Sequence, residues 1–274
     1  MTTKYSDRLE LSRHYAMHGE RPMGAVNHTY IRAYVYPFYS PSGVIMLQEC
    51  PPDHLHHQGI GVGQEHVNGH DFWAQLHPAR VLNKQMGRLA EIKPDADGIS
   101  YSLDLDWASV NGQHIIGESR VCRFEAWETG NFLEVVTTFT AKYGDVFFGQ
   151  TKEGGLSLRV AQQLETAWGG KICSSAGLTG GDKIFDTLAD WVEISGKVGP
   201  NDVGIVFMPH PSMEKIPWFT RDYGLHNYGP FRHKSWKLPF GESFHWRAGF
   251  LAYDGASDGS QATVAWEKYS SRSG

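Results

Sequence analysis

The sequence is short of helix signals, of cysteine and of any long apolar run. No stretch approaches the ~18 consecutive apolar residues that a membrane-spanning helix needs. The polar opening MTTKYSDRLE has no apolar core of the kind a signal peptide requires. Nor is there a basic excess: 25 Lys and Arg stand against 30 Asp and Glu, a net charge of −5. Nucleic-acid binding wants a clustered basic face, so neither nucleic acid nor membrane is expected as a partner. Three cysteines, Cys50, Cys122 and Cys173, are odd in number and widely spaced. That fits a reducing, cytoplasmic setting and no disulfide framework. Apolar residues are nonetheless 41% of 274 positions, enough for a full core, which excludes wholesale disorder.

The chain reads as β almost throughout. Tyr101, Leu103, Leu105 and Trp107 alternate with Ser102, Asp104 and Asp106, as a half-buried strand requires. Leu156, Leu158 and Val160 alternate in the same way. FEAWETGNFLEVVTTF predicts two strands joined at Thr129-Gly130-Asn131. Further strands are predicted at 30–39, 43–49, 190–196, 202–209 and 245–253, and one helix at about 259–270. The 31 Gly and 13 Pro are scattered as punctuation, the pattern of an antiparallel sandwich or barrel. With no linker or repeat, residues 1–274 read as one β-sandwich domain. The turn-rich stretch 210–243 is long enough to be a functional loop.

Histidine is what the chain has in surplus. Fourteen are present, and His54, His56, His57, His66 and His70 fall within seventeen positions, with His77 soon after. If 54–57 is extended, His54 and His56 share a face and His57 takes the other. Same-face imidazoles can hold a metal ion, and imidazole can equally act as acid and base near neutrality. A cupin metal centre would need a Glu a few residues after His-x-His. Glu65 lies nine positions beyond His56, and the second His motif is missing.

Two other groupings carry chemistry. Lys152 and Glu153 stand among glycines before the strand at 156–160, and strand parity puts Glu153, Ser157 and Arg159 on one face unless a bulge intervenes. Arg221, Asp222 and Tyr223 lie in the long loop region, with His210 and His226 near in sequence. Arginine suits a carboxylate, and aromatics beside polar groups suit the apolar face of a sugar ring.

In order, DHLHHQG, NGHDFW, FGQTKEGGLSLRVA, the His210-Pro211 pair and RDYG resemble the family of unknown function commonly labelled "methane oxygenase PmoA". The PmoA-like resemblance runs from about Arg32 to about Asp254. The label itself does not suit this chain, because the membrane subunit of the methane enzyme needs spanning helices. The family often accompanies sugar oxidoreductases and other proteins of carbohydrate catabolism. The resemblance implies an all-β, galactose-mutarotase-like supersandwich: a large antiparallel β-sandwich with few short helices and a concave sugar-binding face. Asp53, His54, His56, His57, Lys152, Glu153, Arg159, His210, Arg221 and Asp222 occupy the motif positions. Leu55 stands where the common pattern, DHPHH, has proline. Mutarotases place a catalytic Glu near the C-terminus, for which Glu242 is the nominee.

The expected function is therefore an acid–base enzyme on a carbohydrate or keto-sugar: a lyase, epimerase or glycoside-cleaving enzyme. His54, His56, His57, Lys152, Glu153 and His210 are the candidate catalytic groups. Asp53, Arg159, Arg221, Asp222 and Tyr223 are the candidates for holding substrate. No cofactor is expected. The alternative is a divalent metal on His54, His56 and His70, helped by Glu49, Glu65 or Asp71, in a hydrolase or oxygenase. A third reading is a non-catalytic sugar-binding module. The expected partner is a small sugar-like molecule, with homo-oligomerisation left open.

Overall fold

The computed structural model of the protein describes residues 3–28, 31–74 and 82–273, so His77 lies outside the described residues. Alternation dictates much of the sheet structure. In Ile99–Ala108 the apolar positions Ile99, Tyr101, Leu103, Leu105 and Trp107 are all buried, while the intervening Ser and Asp side chains reach solvent. The expected hairpin forms from His114–Trp127 and Gly130–Thr140, with Trp127 opposite Gly130.

Strands assemble into two eight-stranded antiparallel sheets. The first runs in the order Tyr5–Glu10, Arg13–His18, Arg21–His28, Ala33–Phe38, Ile60–Gln64, Gly154–Arg159, Leu225–Tyr228 and Phe219–Thr220. The second runs Lys171–Ser174, Val192–Val198, Asn201–Pro209, Ser243–Asp254, Gly130–Thr140, His114–Trp127, Ile99–Ala108 and Lys84–Pro94. A cluster of buried apolar side chains draws on both, so the sheets pack face to face as a sandwich. Phe38 of the first sheet meets Phe124 of the second at 6.3 Å between ring centres.

A buried polar network also ties the layers. Glu118 accepts hydrogen bonds from Arg120 Nε, Trp107 Nε1 and Thr137 Oγ1, each at 2.6 Å. Arg120 Nη1 then donates across the interface to the Ala33 carbonyl at 2.6 Å. The expected helix is Ser260–Ser270. Its buried Ala262, Ala265 and Tyr269 lie on one stripe against the outer face of the second sheet.

Two expectations fail for physical reasons. Residues 43–49 make only isolated bridges, at Ile45, Leu47 and Glu49, because the adjacent Met46 and Leu47 are both buried and break the period of two. The turn-rich region 210–243 contributes the strands Phe219–Thr220, Leu225–Tyr228 and Trp236–Leu238. Leu225–Tyr228 is buried throughout, so its sequence shows no alternation to read.

Candidate active site

Glycines make the floor of the site. In Ile60–Gln64, Ile60 and Val62 enter the core, and Gly61 and Gly63 occupy the other face. A Cβ on Gly63 would lie 2.9 Å from the Phe72 carbonyl oxygen and 3.1 Å from Trp73 Cε3. The bare backbone thus lets segment 71–74 lie directly on the sheet. Asp71 Oδ1 shapes that segment by accepting from the backbone N–H groups of Trp73 and Ala74. Buried Arg32 clamps it from below, donating to the carbonyls of Phe72, Trp73 and His56. Burial, followed by the repulsion of Arg120, lowers the Arg32 pKa to about 10, so it stays charged near neutrality.

Next on the sheet is Gly154–Arg159. Leu156 and Leu158 enter the core; Ser157 and Arg159 share the outer face, as parity predicts. Glu153 joins them by a different route. Gly154 and Gly155, with φ of 143° and 91°, open the strand in a left-handed bend directly after Glu153. Any Cβ on Gly155 would sit 2.3 Å from the Tyr228 carbonyl oxygen.

The histidine segment is a turn, not an extended strand. His57 N–H donates to the His54 carbonyl at 2.9 Å, and His54 N–H to that of Pro51 at 3.0 Å. This overturns the expectation that His54 and His56 share a face. Instead His54 and His57 stack, with ring centres 4.6 Å apart and planes 3° from parallel. Tyr223 stacks on His54 at 5.1 Å, and His56 meets His57 edge-on at 4.4 Å. Trp73 completes the aromatic wall, 5.8 Å from His57 and 6.0 Å from His56. Trp73 Nε1 donates to Glu153 Oε2 at 2.9 Å, and Lys152 Nζ pairs with Glu153 Oε1 at 3.3 Å.

Arg159 sets the electrostatics. Its Nη1 lies 3.3 Å from His57 Nδ1, and its Nη2 contacts Glu165 at 3.0 Å and Asp53 Oδ2 at 3.3 Å. A guanidinium can only donate, so His57 Nδ1 is the acceptor and the ring proton sits on Nε2. Burial, then the charges of His56, His54, Arg159 and Arg32, hold the His57 pKa far below the ordinary imidazole value. His57 is therefore a neutral imidazole whose Nε2–H is buried without a hydrogen-bond partner among the described residues. His54 Nδ1 lies 2.8 Å from Asp53 Oδ2. Burial would raise the Asp53 carboxyl, but the His54 hydrogen bond and Arg159 outweigh it and hold its pKa low. Burial and the Glu153 charge push the Tyr223 hydroxyl up to about 12.

The fold thus gathers Asp53, His54, His56, His57, Glu153, Lys152, Arg159 and Tyr223. It does not bring His210 to them. That imidazole contacts Ser212 and the Arg272 carbonyl and packs on Tyr269, under the C-terminal helix. Asp222 does not join either; it accepts from Thr166 Oγ1 and Gly181 N–H, both at 3.0 Å. Arg221 stacks on Phe185 and Phe219 at the rim. Glu242 is exposed in the turn after Pro239. Trp73 stands in the NGHDFW motif, but nothing there sets its indole apart from a core tryptophan; Arg32 and Glu165 have no local signal at all.

The expected metal set of His54, His56 and His70 does not assemble, since His70 packs against Phe72. The helper carboxylates are engaged elsewhere: Glu49 with Arg13 and Tyr34, Glu65 with Thr151, Asp71 in its turn. Among the described residues the compact donor group is His56, His57 and Glu153, whose ligand atoms lie within 4.8 Å of one another.

Residues 13–267 match a family of unknown function (DUF6807), and the chain belongs to that family. No curated protein matches it in sequence. Among solved structures it is similar to an α-galactosidase from Geobacillus stearothermophilus, with 11% identity over 92% of this chain and a TM-score of 0.47. The chain spans 41% of that enzyme's length. It is similar to a galactose mutarotase-related enzyme from Lactobacillus acidophilus, with 10% identity, 93% and 98% of the two chains covered, and a TM-score of 0.41. A galactose mutarotase-like protein from Lactobacillus casei is 6% identical, with 90% and 99% covered and a TM-score of 0.37. Neither the family match nor the structures named above carry the methane-oxygenase label, and no helix of the described residues is long and apolar enough to cross a membrane.

Proposed function

We propose that this member of a family of unknown function is an acid–base enzyme that removes a proton beside a carbonyl of a sugar or keto-sugar, as a lyase or epimerase does. The observation that carries this reading is the buried, unpartnered Nε2–H of neutral His57. A buried donor left unsatisfied costs roughly 1–3 kcal/mol, which a substrate oxygen accepting from it would recover. A neutral imidazole donating to a carbonyl oxygen stabilises the enolate formed when the neighbouring C–H is deprotonated.

Glu153 is the base in this scheme. Both its oxygens are anchored, by Trp73 and Lys152, beside the His56 and His57 rings. It takes the proton from carbon, and the electron pair moves to the oxygen held by His57. Collapse of the enolate then either expels a leaving group, protonated by His54 or His56, or recaptures a proton on the opposite face. The parallel, half-buried rings of His54 and Tyr223 offer a flat surface for the apolar face of a sugar. Arg159 and Asp53 are positioning residues, acting through His57 and His54.

Deuterium wash-in tests the reading. Keto-sugars and glycosides are incubated with the protein in D2O, and loss of a carbon-bound proton is followed by NMR. Exchange beside a carbonyl, abolished in Glu153→Gln, is the expected result. Absence of exchange in every compound that binds would leave a sugar-binding module instead.

The 4.8 Å grouping of His56, His57 and Glu153 favours one further reading, a metal site. Those donors suit zinc, manganese or iron. Against it, a ligand bond to His57 Nε2 would have to displace the proton that Arg159 directs there. Elemental analysis of untagged protein purified without chelator decides: stoichiometric metal, lost in His56→Ala, would replace the proton-transfer scheme with a metal-assisted one.

A further inference from the structure

Beyond the imidazoles, three cations converge on one ring. The Arg221 guanidinium carbon lies 4.7 Å from the centre of Phe219, that of Arg232 5.7 Å, and Lys152 Nζ 5.9 Å. Both guanidiniums also stack on Phe185, at 4.2 and 4.6 Å. Among the described residues only two carboxylates answer them. Glu153 pairs with Lys152, and Asp186 takes Arg232 Nη2. Arg221 has no carboxylate within ion-pair distance among the described residues, so one positive charge is left over.

A small cleft with room for about one water-sized group opens beside this ring, lined by Lys152, Glu153, Phe219, Gln64, Asn227 and Arg232 among others. Its wall holds donors with nothing to bond. Asn227 is 1% exposed, and neither its amide nitrogen nor its oxygen has a partner among the described residues. Arg232 Nη1 is likewise buried and unpartnered. Strand pairing explains the placement: Asn227 lies opposite Ser157 on one side and Phe219 on the other, so its side chain takes the outer face that Arg159 and the imidazoles share. Buried orphan donors beside an uncompensated cation are unfavourable unless something negative meets them.

We infer that the Phe219–Asn227 cleft is a subsite that receives one oxygen of an oxyanion, a carboxylate or phosphate group carried by the sugar substrate. Arg221, stacked on the Phe219 ring that lines the cleft, supplies the uncompensated charge, and Arg232 Nη1 and the Asn227 amide donate from the wall. Lys152 bridges this subsite to Glu153, so an anionic substituent held here places the sugar ring against the proton-transfer groups. This rests on the carbohydrate reading and adds the substrate class: an acidic sugar rather than a neutral one.

Calorimetric titration at low salt tests it. The probes are glucuronate, glucose 6-phosphate, glucose and inorganic phosphate, against wild type, Arg221→Gln and Arg232→Gln, with folding of each variant checked by circular dichroism. The expected result is at least ~10-fold tighter binding of an acidic sugar than of glucose, a preference lost in Arg221→Gln. Whichever of glucuronate and glucose 6-phosphate binds tighter identifies carboxylate or phosphate as the group recognised. Equal affinity for glucose and both acids, or a preference that survives Arg221→Gln, overturns the subsite and leaves the carbohydrate reading standing. Arg221-dependent binding of inorganic phosphate with no sugar bound supports the subsite and removes the carbohydrate reading. Failure of every probe to bind wild type overturns the subsite. Should Arg232→Gln not fold, Arg221→Gln alone separates these outcomes.

Discussion

Arg159 Nη1 sits 3.3 Å from His57 Nδ1, and this contact decides which nitrogen of a buried imidazole carries the proton. Buried Arg159 is itself held by Glu165 and Asp53, so the ring orientation depends on groups from three separate stretches of chain. In protein with ¹⁵N-labelled histidine, His57 should show the Nε2–H tautomer and remain neutral across the stable pH range. Arg159→Lys, which keeps the charge but loses the fixed fork, should shift the tautomer signal. An unchanged His57 spectrum in that variant would break the link between the two residues.

His57→Ala and Glu153→Gln should each slow carbon-bound proton exchange at least ~100-fold, the usual scale for a group acting on a proton in the transition state. Lys152→Ala should slow it too, because Glu153 then loses the partner on Oε1. Near-normal exchange in His57→Ala and Glu153→Gln would remove both from the reaction.

His210→Ala should separate from these. Its imidazole bonds Ser212 and the Arg272 carbonyl, far from any stacking histidine, so the cost falls on stability at roughly 1–3 kcal/mol. Urea unfolding reads that loss, and exchange rates within ~3-fold of wild type are expected alongside it.

Gly155 makes a backbone demand rather than a chemical one. With φ of 91° and an added Cβ 2.3 Å from the Tyr228 carbonyl oxygen, Gly155→Ala must move the strand Leu225–Tyr228 or the bend that presents Glu153. A loss of at least ~2–3 kcal/mol in urea unfolding is expected.

His226 provides a pH signature. It faces the core opposite Leu158, with both ring nitrogens unpartnered, and burial lowers its pKa from 6.5 to about 3. Above pH 6.5 it is neutral whether folded or unfolded and has no effect on the balance. Between 6.5 and 3 the unfolded chain binds a proton that the folded one refuses, so stability falls with falling pH. At pH 5 this amounts to about 2 kcal/mol, and buried His57 adds a loss of the same sign. His226→Leu should flatten part of that slope in chemical unfolding measured from pH 7 to 5; an unchanged slope would show His226 to be protonated in the folded state.

The chain announces its sheets more clearly than its site. Strands such as Ile99–Ala108 are legible because one face meets the core and the other water, and the sequence must alternate accordingly. Leu225–Tyr228 is covered on both sides and leaves no such pattern. Histidine density marks the right neighbourhood, since composition survives without geometry. The turn at 54–57 is hidden, because the exposed Leu55 makes His-Leu-His look like an alternating strand. Arg32, Glu165 and Asn227 are invisible, as each owes its place in the site to how the strands and turns are packed and not to any local pattern.

Residue order alone therefore establishes an all-β chain, a cluster of imidazoles and the adjacency of Lys152 and Glu153, because these follow from periodicity and composition. Strand order and register do the rest. Placing Gly154–Arg159 between Ile60–Gln64 and Leu225–Tyr228 is what sets Arg159 beside His57 and Asn227 beside Lys152. Those pairings come from hydrogen bonds between strands far apart in the chain, and no local pattern of residues encodes them.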